Sequence, residues 1–180
     1  MIGDIEEFVT GHRDRPSDGF ERVLSTVLFT DIVDSTRRVV AKGDHAWLRL
    51  LDTHDQLAHQ LVDGHRGTLI KSTGDGIVAV FDGPGRAVRC ALALEMAAKE
   101  IGLSIRAGLH TGEIEMRGID IGGLTVHAAA RVMAQSQPSE VLVSRVVTHL
   151  VAGAGLKFFE RGSHELKGLP GRWELFAANA

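Results

Sequence analysis

The period of the apolar positions changes several times along the chain, and each change marks an element. Residues 23–29 are rich in apolar and β-branched side chains and read as a central strand. Over 35–62 the positions Val39, Trp47, Leu50, Leu51, Leu57 and Leu61 recur at helical spacing. Gly43-Asp44 interrupts this pattern, with Asp44 expected to cap a second helix. The short apolar runs 67–72 and 77–81 flank Thr73-Gly74-Asp75-Gly76 and predict a β-hairpin. An alanine- and leucine-rich amphipathic helix follows at 85–101 through Val88, Leu92, Leu94 and Met96, then a strand at 103–114. In that strand Arg106 and His110 share a face and are expected in an ion pair or at the surface, without a catalytic role.

The pattern then predicts a helix at 124–133, a strand at 141–144 and a short helix at 146–151. Late strands at 158–159 and 173–176 enclose Leu166-Lys167-Gly168-Leu169-Pro170-Gly171. The order β-α-α-β-β-α-β-α-β-α-β-β contains a ferredoxin-like βαββαβ core with C-terminal additions, an α+β fold. Residues 1–20, charged around Pro16, read as a linker or the tail of an upstream segment, and 21–180 as the domain proper.

Composition narrows the function classes. The 180 residues are 44% apolar and 24% charged, which suits one soluble domain with its own core. A net charge of −3 gives no global electrostatic footprint for nucleic acid or an anionic membrane. An RNA-binding ferredoxin-like domain would also need an exposed aromatic strand pattern, which is missing here. Cys90 is the sole cysteine and falls on the apolar pattern of a helix, so it reads as a small buried hydrophobe. No apolar run reaches the ~20 residues of a bilayer span, and the acidic start is unlike a signal peptide. These features place the domain in the cytoplasm without direct membrane contact.

Two acids carry the candidate chemistry. In Phe29-Thr30-Asp31-Ile32-Val33-Asp34-Ser35-Thr36 an apolar strand ends on Asp31 and turns into a helix through small hydroxyl residues. Ser72-Thr73-Gly74-Asp75-Gly76 places a second acid in a tight glycine turn. The N–H groups of Val33, Asp34, Ser35 and Thr36, with the hydroxyls of Ser35 and Thr36, could hold phosphate oxygens at the helix start. Asp31 and Asp75 could bridge Mg²⁺ ions that choose carboxylate and phosphate oxygen together. An acid capping a helix beside an unrelated turn acid would produce the same two motifs.

Those two motifs, with Lys71 ahead of the second and the run Asp120-Ile121-Gly122-Gly123-Leu124-Thr125-Val126-His127-Ala128-Ala129-Ala130-Arg131, resemble the class III nucleotide cyclase catalytic domain in its bacterial, mycobacterial-type form. The resemblance covers residues 22–177 in the family's motif order. It implies that Asp31, Asp75 and the Ile32 carbonyl hold two divalent cations, Mg²⁺ or Mn²⁺. It implies that Lys71 and Asp120 read the purine, the lysine donating to a ring nitrogen and the acid accepting from an exocyclic amine. That pattern favours ATP over GTP. Arg131 corresponds to the arginine that steadies the triphosphate, and Lys167 to a late lysine that contacts phosphate.

His127 stands where the family usually has a ribose-orienting asparagine; it can donate one hydrogen bond, but its ring is larger. The implied activity is adenylyl cyclase: the ribose 3′-oxygen attacks the α-phosphorus and pyrophosphate leaves. In the family the metal ligands come from one subunit and the purine, ribose and phosphate readers from the other, which implies a head-to-tail homodimer. A guanylyl or mixed-purine cyclase, and a nucleotide-binding regulatory dimerisation domain without turnover, are the alternatives.

Overall fold

A computed structural model of the chain describes residues 21–72 and 74–179. The linker expected at 1–20 lies outside the described residues, as does Thr73 of the hairpin turn. Eight strands form one sheet in the order β2-β3-β1-β4-β6-β8-β7, with β5 paired to β4 off this path. The strands are β1 Glu21–Ile32, β2 Thr68–Ser72, β3 Ile77–Phe81, β4 Ile105–Arg117, β5 Asp120–Gly122, β6 Glu140–Ser144, β7 Lys157–His164 and β8 Trp173–Asn179. The helices are α1 Ser35–Lys42, α2 Asp44–Gly64, α3 Pro84–Glu100, α4 Leu124–Gln135 and α5 Arg145–Leu150.

The first four strands stand β2-β3-β1-β4 with antiparallel neighbours, the split βαβ arrangement of the expected ferredoxin-like core. β6 then adds parallel to β4, and the β7–β8 hairpin closes that side of the sheet. Several expectations need correction. β1 runs on to Ile32, so Asp31 sits inside a paired strand, opposite Arg106. β5 has only three residues and carried no readable alternation. Asp44 lies in the first turn of α2, while Gly43 takes the cap position with no side-chain cap bond.

Alternation along the central strands divides the core between the two faces of the sheet. Leu28, Ile32, Ile77, Ala79, Phe81, Ile105, Ala107 and Leu109 point to one face. There they meet Trp47, Ala58 and Val62 of α2 and Ala87, Val88, Ala91, Leu94 and Ala98 of α3. These positions fall along one side of each helix, so each helix buries a single stripe. Cys90 is fully buried in α3, as expected, and burial raises its thiol to about 12, leaving it an inert core group.

Among the described residues, the opposite face is covered by α4, through Ala128, Ala129 and Val132, and by Leu166 and Leu169 of the β7–β8 connection. The helix rides close on β4 because Gly108 has no side chain: a Cβ there would run into the backbone of Met133. Beyond α4, Val23, Phe29, Ile70, Met116 and Ile121 form a half-covered apolar strip on this face.

His54 in α2 and His110 in β4 are buried at 1% and 8% exposure. Burial lowers both pKa values, partly offset for His54 by neighbouring Asp55, and brings His110 to about 4. His110 therefore belongs to the interior, contrary to the expected ion pair or surface position. In the unfolded chain such a histidine takes a proton as pH falls below about 6.5, while the folded His110 stays neutral down to about 4. Its contribution is complete above pH 6.5 and is lost between there and pH 4, on the order of 3 kcal/mol for the full shift. Calorimetric Tm should accordingly fall more steeply over this window in the native protein than in a His110→Phe variant; equal slopes would refute the assignment.

Candidate active site

The site begins with a backbone contact between two elements far apart in sequence. The Ile32 N–H donates to the Asp75 carbonyl at 2.6 Å, which draws the β2–β3 turn against the end of β1. Gly76 permits the approach, since a Cβ at that position would strike the Thr30 carbonyl. The Thr30 hydroxyl accepts from the Ile77 N–H at 3.2 Å and holds the turn from the other side. The two carboxylates are thereby brought to the same end of the sheet, and the Ser35 hydroxyl reaches Asp75 Oδ2 at 3.4 Å.

Asp34 follows with φ of 56°, a left-handed conformation that aspartate tolerates better than most residues. It turns the chain straight into α1. Arg38 N–H is the first to bond back, to the Asp34 carbonyl at 3.0 Å, so the first-turn N–H groups have no acceptor within the helix. The Val33 N–H is not among the free donors: it bonds the Ser104 carbonyl at 2.8 Å, which corrects the expectation that it would hold phosphate. The helix buries no residue of its own and is anchored by Arg38, whose guanidinium donates to the Gly102 carbonyl at 2.8 Å.

Asp31, Ile32, Val33, Asp34, Ser35, Thr36 and Asp75 all line one open cleft of about 1020 Å³. Arg106 lines it too, and its guanidinium pairs with Asp31 Oδ2 at 2.6 Å. The expected ion pair is therefore made with a candidate metal ligand, and Arg106 belongs to the site. The signal was register: Arg106 stands directly across from Asp31 on β4. No group of three or more His, Cys, Asp or Glu side chains converges among the described residues. Two carboxylates and a carbonyl are an oxygen-only, incomplete set, suited to a hard cation that arrives with phosphate oxygens.

The remaining candidates lie outside this cleft. Lys71 is exposed on β2 and pairs with Val78, whose side chain belongs to the core on the α4 face. Cross-strand partners share a face, so Lys71 projects to the α4 side of the sheet. Asp120 opens β5, exposed, with Oδ1 accepting the Ile121 N–H at 2.9 Å. His127 is exposed on α4, and its Nε2 lies 3.2 Å from the position a Gly168 Cβ would take. That places it against the turn carrying exposed Lys167, which lines a separate depression with Glu165 and Arg172. Arg131, one turn after His127, is half-buried, and its Nε has no hydrogen-bond partner. The structure thus brings one set of residues into the cleft and gathers His127, Arg131 and Lys167 around α4.

The sequence pattern described as Adenylate and Guanylate cyclase catalytic domain matches residues 18–179. The chain belongs to that family. It is 28% identical over 161 residues to a Rhizobium meliloti (strain 1021) protein named "Putative adenylate cyclase 3", covering 84% of this chain and 27% of that protein. The chain thus spans about a quarter of that curated relative's length. The adenylyl cyclase CyaB of P. aeruginosa superposes with a TM-score of 0.83 at 21% identity, over 89% of this chain and 96% of that one. An adenylate/guanylate cyclase/hydrolase from Silicibacter pomeroyi gives 0.79 at 26% identity, over 88% and 97%.

Class III cyclase domains use divalent metal ions, and the Asp31–Asp75 oxygen set of this cyclase domain fits such ions chemically. No helix among the described residues is long and apolar enough to cross a membrane.

Because the cleft depends on the close approach of Gly76 to Thr30, Gly76→Ala should push the Asp75 turn away from β1. The expected cost is about 1–3 kcal/mol of stability, with cyclase activity falling at least about tenfold. Thermal unfolding and turnover measured together check this, and unchanged turnover would refute it.

Proposed function

We propose that this domain is an adenylyl cyclase, converting ATP to 3′,5′-cyclic AMP and pyrophosphate at composite sites of a head-to-tail homodimer. The observation that carries the reading is the separation of the two residue sets. The metal-type carboxylates line a cleft that holds neither Lys71, Asp120, His127, Arg131 nor Lys167, so a single chain offers half a site. The half-covered strip of Val23, Phe29, Ile70, Met116 and Ile121 supports a second copy docking on the α4 face. Ile119 and Leu124, 86% and 62% exposed beside β5, extend that apolar surface.

Within the composite site, Asp31, Asp75 and the Ile32 carbonyl would hold two Mg²⁺ or Mn²⁺ ions, which when bound supply an acidified 3′-hydroxyl and neutralise the triphosphate. The hydroxyls of Ser35 and Thr36 and the first-turn N–H groups of α1, from Asp34 onward, would grip phosphate oxygens at the positive end of the helix. Arg106 adds a cation to the same cleft. From the other subunit, Lys71 and Asp120 would read adenine, and His127 would donate to the ribose. Arg131 and Lys167 would stabilise charge building on the phosphates, worth a few kcal/mol for each donor. The unpartnered Arg131 Nε supports this role, since a buried guanidinium nitrogen is costly without an acceptor.

Two measurements test the reading. Cyclic nucleotide formed from ATP and from GTP, with Mg²⁺ and Mn²⁺ compared, should favour ATP. Equal or greater use of GTP would support the guanylyl or mixed-purine alternative, and absence of both products the regulatory one. Asp31→Ala and Arg131→Ala should each abolish turnover, while mixing the two should restore roughly one working site in each heterodimer. Failure to recover activity in demonstrated heterodimers would exclude the shared site.

A further inference from the structure

Behind the Lys167 turn lies a buried polar contact that neither cleft explains. His110 on β4 bonds the Ser144 hydroxyl at the end of β6 at 2.6 Å. Its ring meets the indole of Trp173 edge-on, with centroids 4.9 Å apart and planes at 71°. Trp173 opens β8, and its indole N–H donates back to the Pro170 carbonyl at 3.3 Å, closing the connection that carries Lys167.

Leu166 and Leu169 bracket the lysine. The Leu169 N–H bonds the Leu166 carbonyl at 3.0 Å, making a compact turn. Both leucines pack with Trp173, Leu142, Leu175 and Val132, the residue following Arg131 on α4. The turn is thus held by apolar contacts to α4 and by the indole, against which the His110 ring stands edge-on. An apolar side chain could fill the His110 position without the desolvation cost of an imidazole. What the imidazole adds is direction: one bond to Ser144 and one defined ring face or edge for Trp173.

We propose that His110, acting through Ser144 and Trp173, is a positioning residue that sets Lys167 for contact with the nucleotide triphosphate. This rests on the reading of Lys167 as a phosphate contact. His110 itself touches no reacting atom. It governs where the Leu166–Leu169 turn sits relative to Arg131, and its removal should act only while Lys167 is present.

The test is a double-mutant cycle on the full chain, read by calorimetric affinity for Mg²⁺ with 3′-deoxy-ATP, which lacks the attacking hydroxyl and cannot cyclise. Lys167→Ala should weaken binding about tenfold, the effect of one charged hydrogen bond. His110→Phe, which keeps a ring but loses the Ser144 bond, should weaken it about three- to tenfold, and the double variant no more than Lys167→Ala alone. Equal further weakening by His110→Phe in the Lys167→Ala background would overturn the proposal, because it would mark a general structural effect. Wild-type affinity in Lys167→Ala would instead refute the phosphate role of Lys167, and the proposal with it, leaving the Asp31 and Arg131 assignments to the mixing experiment. If His110→Phe fails to fold, Ser144→Ala enters the same cycle with the same expected non-additivity.

Discussion

The Ile32 N–H to Asp75 carbonyl bond, at 2.6 Å, is the contact on which the two-carboxylate cleft depends. β1 and the β2–β3 turn are neighbours only because β3 pairs with β1, and strand pairing alone leaves the turn free to lean outward. The backbone bond and the bare Gly76 remove that freedom, so that Asp31 and Asp75 arrive together with the start of α1. Two like charges that line one partly solvated cleft repel, and Arg106 at 2.6 Å from Asp31 offsets part of the repulsion. A bound cation would take over the same task. Arg106 is therefore both a structural counter-charge to Asp31 and a cation lining the same cleft.

The sheet's two faces are built unequally, and the asymmetry connects fold to assembly. α2 and α3, with Val147 of α5, seal one face with a continuous apolar core. Among the described helices the other carries α4, pressed close by Gly108 and small alanines, with an apolar strip beside it. A tight single helix leaves room on that face, and both Lys71 and the α4 residues His127 and Arg131 lie on this side of the molecule. On the proposed reading, the surface left open by sparse helix cover is the surface through which the second subunit completes the site.

Much of this was legible because the decisive signals are local. The switch from apolar alternation to helical spacing around Asp31, and the glycines flanking Asp75, place both acids at element ends by backbone chemistry alone. The ferredoxin-like order followed from element sequence, since a split βαβ arrangement permits few connections. What escaped was set by pairing. Arg106 joins the site through its register with Asp31, the Val33 N–H is claimed by Ser104, and β5 exists because three residues fold back on β4. His110 resembled a surface residue because its neighbours Gly108 and Gly112 carry no hydrophobic marker. Those glycines make room for α4, so the polarity of that stretch reflected close packing and not exposure.

On the proposed reading, His127 in place of the family's usual asparagine bears on how the second residue set is organised. Asparagine offers a compact amide with a donor and an acceptor, whereas imidazole presents a longer plane with one donor when neutral. Here that plane lies against Gly168, so its size is accommodated by a residue with no side chain in the Lys167 turn. Histidine and turn thus form one contact surface, and any residue larger than glycine at 168 would have to displace the ring. On the proposed reading, the ribose donor and the phosphate lysine are mechanically joined in this chain. On the same reading Arg131, one helical turn away, would complete the cluster, and dimer docking would set its position relative to the partner's carboxylates.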